Sequence, residues 1–373
     1  MKNPKIRFKG YTDDWEQRKL GDVFREYSEK NHIEFPALTI IQGGGTVKRQ
    51  DSDRNLMYDK SNLSNYKMVH KDDFIVHLRS FEGGLEKSSL DGVISPAYHT
   101  FHGNDTDSRF FYPYFRSYEF IKQKLVPHVY GIRDGRSIDI DGMKTIEIPY
   151  TSIQEQRKIG DYLEALDHLI TLHQRKCEQT KIFKKYMLQK MFPQSGEKVP
   201  EIRFDGFTDD WEQRKFSDVA EYRNGKAHEN EIDDDGEYIV VNSKFVSTNG
   251  EIKKFSNAQN EPLYENEIAF VLSDVPNGRA IARTFLIDKS GKYTLNQRIA
   301  GITPHEDTDP YYLHIKMNRN AYFLKFDDGN KQTNLSIKDV LNYEDMYPNY
   351  KEQQKIGNYF RSLDHLITLH QRK

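Results

Sequence analysis

The stretch "LDHLITLHQRK" occurs twice in the chain, at Leu166–Lys176 and at Leu363–Lys373. Each copy ends a longer repeated segment: 17 of 22 residues are identical between 155–176 and 352–373. The two copies are 197 residues apart. Solenoid repeats are only roughly 20–50 residues long, so this period predicts two domain-sized halves.

A second repeated pair marks where each half begins. Residues 4–23 and 200–219 are identical at 15 of 20 positions. Between the repeated segments lie two regions, 24–150 and 220–348, that share little sequence. Each half is therefore expected to contain an entry segment, a variable domain and a terminal helix.

The terminal helices carry apolar residues at alternating spacings of four and three, which is typical of a coiled-coil seam. The spacing predicts helices over 155–192 and 352–373, paired with each other in antiparallel orientation. The residues expected to form the pairing are Ile159, Leu163, Leu166 and Ile170 in the first helix, and Ile356, Phe360, Leu363 and Ile367 in the second.

The variable regions predict mixed α/β domains, so the fold class is α+β: two such domains separated by a pair of long antiparallel coiled-coil helices, in a pseudo-two-fold repeat. Strands are expected within 72–80 and 266–274, and aromatic-rich helices over 110–125 and 310–326. The predicted domains are 1–150, 151–199 (central helix), 200–348 and 349–373 (distal helix).

Composition places the chain among soluble cytoplasmic proteins. No apolar run approaches the roughly 18 residues that a membrane span needs, and a single cysteine, Cys177, excludes an internal disulfide framework. The net charge of −2 lacks the basic excess of a protein that binds nucleic acid unaided. A basic face on one side, or a partner that supplies further phosphate contacts, remains compatible with this charge.

No stretch predicts catalysis or a metal site. "DPYY" (309–312) is close to the Asp-Pro-Pro-Tyr box of adenine methyltransferases but lacks its second proline, so a helix start with aromatic packing is the better interpretation. His168 and His173, and likewise His365 and His370, are five residues apart, one beyond the spacing that aligns two ligands on a helix. We therefore expect a chain that is not itself an enzyme.

The whole chain resembles the specificity subunit of type I restriction–modification systems. The resemblance rests on the two-half architecture and on the approach to each helix, "IPYTSIQEQRKIG" (148–160) and the looser "YPNYKEQQKIG" (347–357). The first helix continues through 177–192, which has no counterpart after Lys373, so the distal helix is expected to be short.

The resemblance implies that each variable domain is a target recognition domain that reads one half of a bipartite, asymmetric site on double-stranded DNA. It implies that the helices set the spacing and dock two methyltransferase subunits. Those partners would bind S-adenosylmethionine, and motor-nuclease subunits would use ATP and Mg²⁺. This chain itself is expected to bind no cofactor.

Residues that could read DNA were chosen by side-chain chemistry: arginine or lysine suits guanine, and asparagine or glutamine suits adenine. Glycines were included where the backbone could approach DNA closely. In the first half the candidates are Arg79, Ser80, Gly83, Gly84, Arg133 and Arg136. In the second half they are Asn242, Ser243, Lys244, Ser273, Asn277, Arg279, Asn296, Gln297, Arg298, Asn330, Lys331 and Gln332.

Two other functions stay open at the level of sequence. One is a self-contained DNA methyltransferase or nuclease. The other is a coiled-coil interaction protein that binds no DNA. The target sequence, the spacer length and the presence of restriction subunits cannot be deduced from these residues.

Overall fold

The computed structural model describes residues 4–52, 60–77, 84–130, 137–194, 196–275, 278–329 and 331–371. Contacts divide the chain into unit 1, Met1–Thr171, and unit 2, Leu172–Lys373. This division falls inside the first long helix. The boundaries expected at 150, 199 and 348 instead separate repeated from variable sequence, and they stay a prediction.

Unit 1 begins and ends its recognition domain with strands that pair with each other. Its strands are β1 (Glu16–Lys19), β2 (Phe24–Tyr27), β3 (Leu38–Ile41), β4 (Gly45–Lys48), β5 (Lys67–Val69), β6 (Phe74–His77), β7 (Glu86–Lys87), β8 (Gly92–Ile94), β9 (Tyr98–Gly103), β10 (Val129–Tyr130), β11 (Ser137–Ile138) and β12 (Glu147–Tyr150). Its helices are α1 (Leu20–Val23), α2 (Ser108–Phe115), α3 (Ile140–Lys144) and the long α4 (Ile153–Lys190), which continues into unit 2. A π-helical stretch, Glu119–Leu125, follows α2.

The main sheet of unit 1 is antiparallel, in the order β2-β9-β6-β7. Its inner face packs on α2 through a cluster of phenylalanines, among them Phe24, Phe74, Phe111 and Phe115. The rings meet edge to face at centroid distances of 4.8–5.6 Å, as between Phe74 and Phe115 or Phe24 and Phe115, a geometry that aromatic quadrupoles favour. These rings form the centre of the unit 1 core.

Unit 2 repeats this plan with additions. Its strands are β13 (Glu212–Lys215), β14 (Ala220–Asn224), β15 (Tyr238–Val241), β16 (Phe255–Ser256), β17 (Pro262–Leu263), β18 (Ile268–Val271), β19 (Ser273–Asp274), β20 (Thr284–Leu286), β21 (Tyr293–Leu295), β22 (Ile299–Pro304), β23 (Thr333–Asn334) and β24 (Glu344–Tyr347). Its helices are α5 (Phe216–Val219), α6 (Ser243–Ser247), α7 (Pro310–Met317), α8 (Ala321–Leu324), α9 (Ile337–Leu341) and α10 (Tyr350–Gln371).

The antiparallel sheet β14-β22-β18-β20 of unit 2 corresponds in its order to the main sheet of unit 1. A second sheet, β16-β15-β21-β17, contains the parallel pair β15–β21. Two buried clusters fill unit 2, one between the first sheet and α7, the other around Phe245 and Tyr293. The α+β fold class is thus confirmed.

The long helices agree closely with the sequence. The periodicity predicts 155–192 and 352–373, and the structure has Ile153–Lys190 and Tyr350–Gln371. Both begin at a polar cap: Glu155 N donates to Ser152 Oγ at 3.3 Å, and Glu352 N donates to Asn349 Oδ1 at 3.0 Å. Within the described ranges, no helix is both long enough and apolar enough to cross a bilayer.

Candidate nucleic-acid interface

A buried ion pair fixes the start of each long helix to the entry segment of its own unit. Glu155 accepts two hydrogen bonds from Arg7, from Nε at 2.6 Å and Nη2 at 2.8 Å. Glu352 accepts the same pair from Arg203, at 2.7 and 2.8 Å. Both glutamates are buried. Bidentate arginine–carboxylate contacts of this kind fix geometry as well as contribute energy, so we name the two arrangements the Glu155 clamp and the Glu352 clamp.

The next residue of the repeated motif, a glutamine, bonds to backbone on both sides. Gln156 Nε2 donates to the carbonyl of Thr151 at 2.7 Å, while its Oε1 accepts from Asp107 N at 3.0 Å. Gln353 makes the equivalent bonds to Pro348 O at 2.9 Å and from Asp309 N at 3.1 Å. Each glutamine thus ties the long helix to the aspartate that precedes α2 or α7.

The glycine of the motif allows a close approach between the long helix and that aspartate. A Cβ added to Gly357 would lie 2.6 Å from Asp309 Oδ1, and one added to Gly160 would lie 3.1 Å from Asp107 Oδ1. The Glu-Gln-x-Lys-Ile-Gly motif therefore joins the helix to its recognition domain. Its sequence signal was identified from the repeat, but its role becomes clear only from these contacts.

Within unit 2, α10 packs against the C-terminal half of α4 in antiparallel orientation. His173 lies beside His370, with 3.0 Å between their Nδ1 atoms, and Cys177 lies beside the carbonyl of Ile367. Further along α4, Lys184 donates to both carboxylate oxygens of Asp364, at 2.5 and 2.6 Å. As residue numbers increase along α4, those of the contacting residues decrease along α10. The two helices are therefore antiparallel, as the sequence predicts.

The α4 residues chosen for this pairing require a correction. Leu166 and Ile170 are 38% and 53% exposed, and Ile159 packs against the core of unit 1. The contacts of α10 lie further along α4, where Met187 and Met191 join Phe360 in one buried cluster. The predicted α10 residues Ile356, Phe360 and Leu363 belong to that cluster. Heptad spacing identifies the apolar residues of a helix, but it does not show which part of the partner helix each of them contacts.

Two of the loops proposed to read DNA are adjacent in unit 2. Strands β19 and β23 pair, which sets Ser273 opposite Asn334. Gln332 Nε2 donates to Ser273 Oγ at 2.9 Å. Lys331 and Gln332 are exposed beside this pair. Ser273, Lys331 and Gln332, taken from loops about 60 residues apart in sequence, therefore lie at one edge.

Asp274 organises the loop that follows β19. Its carboxylate accepts from the backbone N–H groups of Val275 at 2.9 Å, Ala280 at 2.5 Å and Ile281 at 3.0 Å. A Cβ on Gly278 would lie 2.1 Å from the Asp274 carboxylate, so only glycine fits there. This arrangement holds Arg279, which is exposed, in a defined position.

A second set of candidates lies on the loop before β22. The carbonyl of Arg298, a residue with φ of +66°, accepts from Leu272 N at 3.0 Å, which joins this loop to the β19 edge. Asn296 N donates to Val241 O at 3.1 Å, beside Asn242. Asn242 itself caps α6 by accepting from Phe245 N at 2.9 Å, while Ser243 and Lys244 form the first turn of that helix. Gln297 donates to Glu229.

Seven candidates lie outside the described residues and stay predictions: Arg79, Ser80, Gly83, Arg133, Arg136, Asn277 and Asn330. Gly84 is described, with φ of +78°. A Cβ there would lie 2.0 Å from the carbonyl oxygen of Phe115. Internal packing therefore accounts for this glycine, and the close approach to DNA that we expected is not needed to explain it.

Two arginines beside Arg279 were missed by the sequence reasoning. Arg283 Nε donates to Arg279 O at 2.5 Å, and Arg319 Nη1 donates to Ile281 O at 3.2 Å. Arg283 lies four residues after Arg279, which was a usable signal. Arg319 follows α7, 38 residues from Ile281, and no local pattern connects it to the loop.

The positions suspected of catalysis have structural roles. Asp309 of "DPYY" caps α7 by accepting from Tyr312 N at 2.8 Å, and Pro310 occupies the first turn, so the helix-start interpretation is confirmed. Burial lowers the pKa of His314, on the same helix, to about 4. Among the described residues, no three His, Cys, Asp or Glu side chains are placed to bind a metal ion.

The family model for the type I restriction modification DNA specificity domain matches twice, over residues 12–181 and 208–373. The chain belongs to this family. The matched ranges include the clamp glutamates Glu155 and Glu352, and each begins shortly after the arginine that binds them, Arg7 or Arg203. A comparison with curated proteins found no match.

Solved structures with a similar fold include the type I restriction-modification S subunit from M. genitalium, at 14% identity and a TM-score of 0.61 over 99% of this chain and 94% of that one. A chain from a study of complex assembly and conformational transition of the type I R-M system matches at 16% identity and a TM-score of 0.52, over 98% and 93%. The HsdS subunit from Thermoanaerobacter tengcongensis gives 16% identity and a TM-score of 0.48, over 96% and 91%.

Proposed function

We propose that the specificity subunit reads a bipartite, asymmetric DNA site, one half with each recognition unit. The observation that supports this is the contrast between equivalent arginine–glutamate contacts and unlike variable regions. The arginine contacts of the Glu155 and Glu352 clamps agree within 0.1 Å, while the variable regions 24–150 and 220–348 share little sequence. Unlike readers on a repeated framework fit a site without palindromic symmetry, since palindromy mirrors identical readers.

The chemistry of methylation is proposed to come from partner subunits. Two methyltransferase subunits would dock on the helices and bind S-adenosylmethionine, and motor-nuclease subunits would supply ATP- and Mg²⁺-dependent cleavage. The family membership and the type I assembly named for one structural relative support it.

The test is to express the chain with its methyltransferase partner and to map methylated adenines by sequencing. We expect one split motif with unlike halves. Methylation without a split motif would contradict the proposal. S-adenosylmethionine binding or DNA cleavage by the purified chain alone would instead favour a self-contained enzyme, and failure of the assembled complex to bind DNA at low salt would favour an interaction protein.

Exchange of one variable region tests whether the two readers are independent. Replacing residues 24–150 with the corresponding region of another specificity subunit should change one half of the motif only. The matched control replaces 220–348 and should change only the other half. A change in both halves from either exchange would show that the readers are not independent.

A further inference from the structure

We propose that Arg279, Arg283 and Arg319 of unit 2 form a binding site for a backbone phosphate of DNA, beside the edge that carries Ser273 and Gln332. The proposal rests on the DNA-reading function and deepens it, because it assigns one cluster to the phosphodiester backbone rather than to bases.

The three arginines are held close together by backbone contacts. The side chain of Arg283 donates to the carbonyl of Arg279, and that of Arg319 donates to the carbonyl of Ile281. The backbone N–H of Arg319 also donates to Ala282 O at 2.7 Å. Each side-chain bond uses one donor and leaves the remaining N–H groups of the guanidinium available.

Within the described part of the chain, no carboxylate forms an ion pair with any of the three. Asp274, whose charge acts on Arg283, already accepts three backbone N–H groups. Burial and the charges of Arg319 and Arg279 together lower the pKa of Arg283, although Asp274 opposes them. The cluster is therefore an uncompensated concentration of positive charge.

Arginine elsewhere in unit 2 is compensated where it is buried to a similar degree. Arg223 binds Glu267 at 2.5 Å and Glu261 at 3.0 Å, and Arg214 binds Asp307 at 2.8 Å. Like charges that are brought together repel, so an external anion would relieve the cost of assembling this cluster. A phosphate offers the oxygens that planar guanidinium donors match.

The backbone beneath the cluster supports a built site. Ala282 and Arg319 have φ values of +56° and +57°, in the left-handed region that residues other than glycine rarely adopt. Such strained positions concentrate at functional sites. The hydrogen bond between these two residues and the Asp274 contacts hold the backbone that carries the arginines in place.

The location favours DNA as the source of the phosphate. The loop with Arg279 follows directly from β19, whose Ser273 contacts Gln332. In protein–DNA interfaces, roughly half to two-thirds of hydrogen bonds go to phosphate and sugar, and these contacts set the register for base readers nearby. Because Arg283 and Arg319 are partly buried and tied to backbone, they suit this positioning role.

The experiment measures DNA binding by the full chain in complex with its methyltransferase partner. A fluorescent duplex that carries the mapped motif and a duplex with a scrambled motif are titrated at several KCl concentrations. We compare Arg279→Gln, Arg283→Gln and Arg319→Gln with Lys338→Gln, which removes an exposed charge from α9. Arg283→Lys keeps the charge while changing the shape.

The arginine-to-glutamine variants should weaken binding to both duplexes by the same factor. For each phosphate that a variant no longer neutralises, the slope of log affinity against log salt should become shallower by about 0.9. Lys338→Gln should leave the slope unchanged. Arg283→Lys should keep most of the wild-type slope.

Three results would overturn the assignment: unchanged slopes in all three glutamine variants, weaker binding of the cognate duplex alone, or an equally shallow salt slope in Arg283→Lys and Arg283→Gln. The first excludes a phosphate contact, the second indicates base reading, and the third shows that charge is not the cause. If the wild-type complex binds neither duplex even at low salt, the DNA-reading function itself fails, and this site with it.

Discussion

The Glu155 and Glu352 clamps bind equivalent arginines, yet the tryptophan of the same repeated segment behaves differently in the two units. In unit 1, Trp15 Nε1 donates to Glu155 Oε2 at 3.2 Å. In unit 2, Trp211 is buried, and its Nε1 has no hydrogen-bond partner among the described residues. Identical sequence around these tryptophans therefore preserves the ion pair but not the surrounding contacts.

The difference arises from the variable half of each unit. Helix α7 of unit 2 places the buried Lys316 among aromatic rings, with Nζ 5.9 Å from the ring centre of Trp211 and 4.9 Å from that of Tyr347. In unit 1, Trp15 instead meets Phe110 edge to face at 5.2 Å. The comparison teaches that the bidentate arginine–glutamate contact is retained in both units, whereas aromatic packing around it adapts to the neighbouring domain.

Substitution of either clamp glutamate by alanine should cause the largest loss of stability among the changes considered. Removing the buried carboxylate breaks the charge-assisted hydrogen bonds from Arg7 or Arg203, both of which are partly exposed, so we expect a loss of about 1.5–3 kcal/mol of unfolding free energy. Glu155→Ala should destabilise unit 1 more than Glu352→Ala destabilises unit 2, since Trp15 and Thr151 also donate to Glu155.

Amide hydrogen exchange, measured during urea unfolding and assigned separately to unit 1 and unit 2, would give the loss of unfolding free energy in each unit. Glu212→Ala is the matched control, an exposed glutamate of the same repeated segment, and its effect should stay within about 0.5 kcal/mol. Equal losses from Glu155→Ala and Glu352→Ala would contradict the view that the tryptophan contact distinguishes the two clamps.

The two motif glycines should respond unequally to alanine. Gly357→Ala should cost about 1–3 kcal/mol, because its Cβ would overlap Asp309 Oδ1 at 2.6 Å. Gly160→Ala meets its neighbours at 3.1 Å, and alanine is about 1 kcal/mol better than glycine in a helix interior. We expect a change near zero for Gly160→Ala in urea unfolding. A loss at Gly160 as large as that at Gly357 would show that the two approaches are equally tight.

Acid should weaken the Glu155 clamp. Burial tends to raise the pKa of Glu155, but the hydrogen bonds from Arg7 and Thr151 outweigh it and hold the pKa below the ordinary value of 4.5. A depressed pKa in the folded state contributes stability above pH 4.5, and this is lost as the pH falls through the folded value. The unfolding temperature of wild type should therefore fall more steeply from pH 5 to pH 3 than that of Glu155→Gln. Parallel curves for the two proteins would contradict this linkage.

The contact between α4 and α10 should show the smallest effect. Lys184 and Asp364 are both partly exposed, so Lys184→Ala should cost about 0.2–1 kcal/mol in urea unfolding. Asp364→Ala should cost more, since Tyr311 Oη also donates to Asp364 at 2.6 Å. Lys181→Ala, which breaks an exposed pair with Glu178 on α4 alone, is the control. A larger loss of unfolding free energy for Lys184→Ala than for Asp364→Ala would contradict the expected contribution of the Tyr311 hydrogen bond.

Much of the fold could be predicted because the signal was local or duplicated. The repeat located both long helices to within two residues at each end, and short apolar runs after charged turns located β6 and β18. The clamps could not be predicted, because Arg7 and Glu155 are 148 residues apart and nothing in the local sequence marks them as buried. The stretch of α4 that meets α10 was also misplaced, since identical segments offer no means of choosing between registers.

The candidate interface was predicted in part. Ser273 and Gln332 were chosen from separate loops, and the structure places them in contact. Asn242 was predicted to read DNA because its amide suits adenine. In the structure the oxygen of that amide instead caps α6, and asparagine is equally suited to this role. Arg319 was missed because its position depends on a left-handed residue after α7 and on a hydrogen bond to Ala282. Side-chain chemistry alone therefore selects candidates, but it does not distinguish residues that cap a helix from residues that contact DNA.

Gln156 and Gln353 bond only to peptide groups, and every residue except proline presents the same N–H and C=O. These bonds therefore do not depend on which side chains the neighbouring domain presents. The packing of Ile159 and Phe360 does depend on them, so each joint combines a part that any backbone can supply with a part that is specific to its unit.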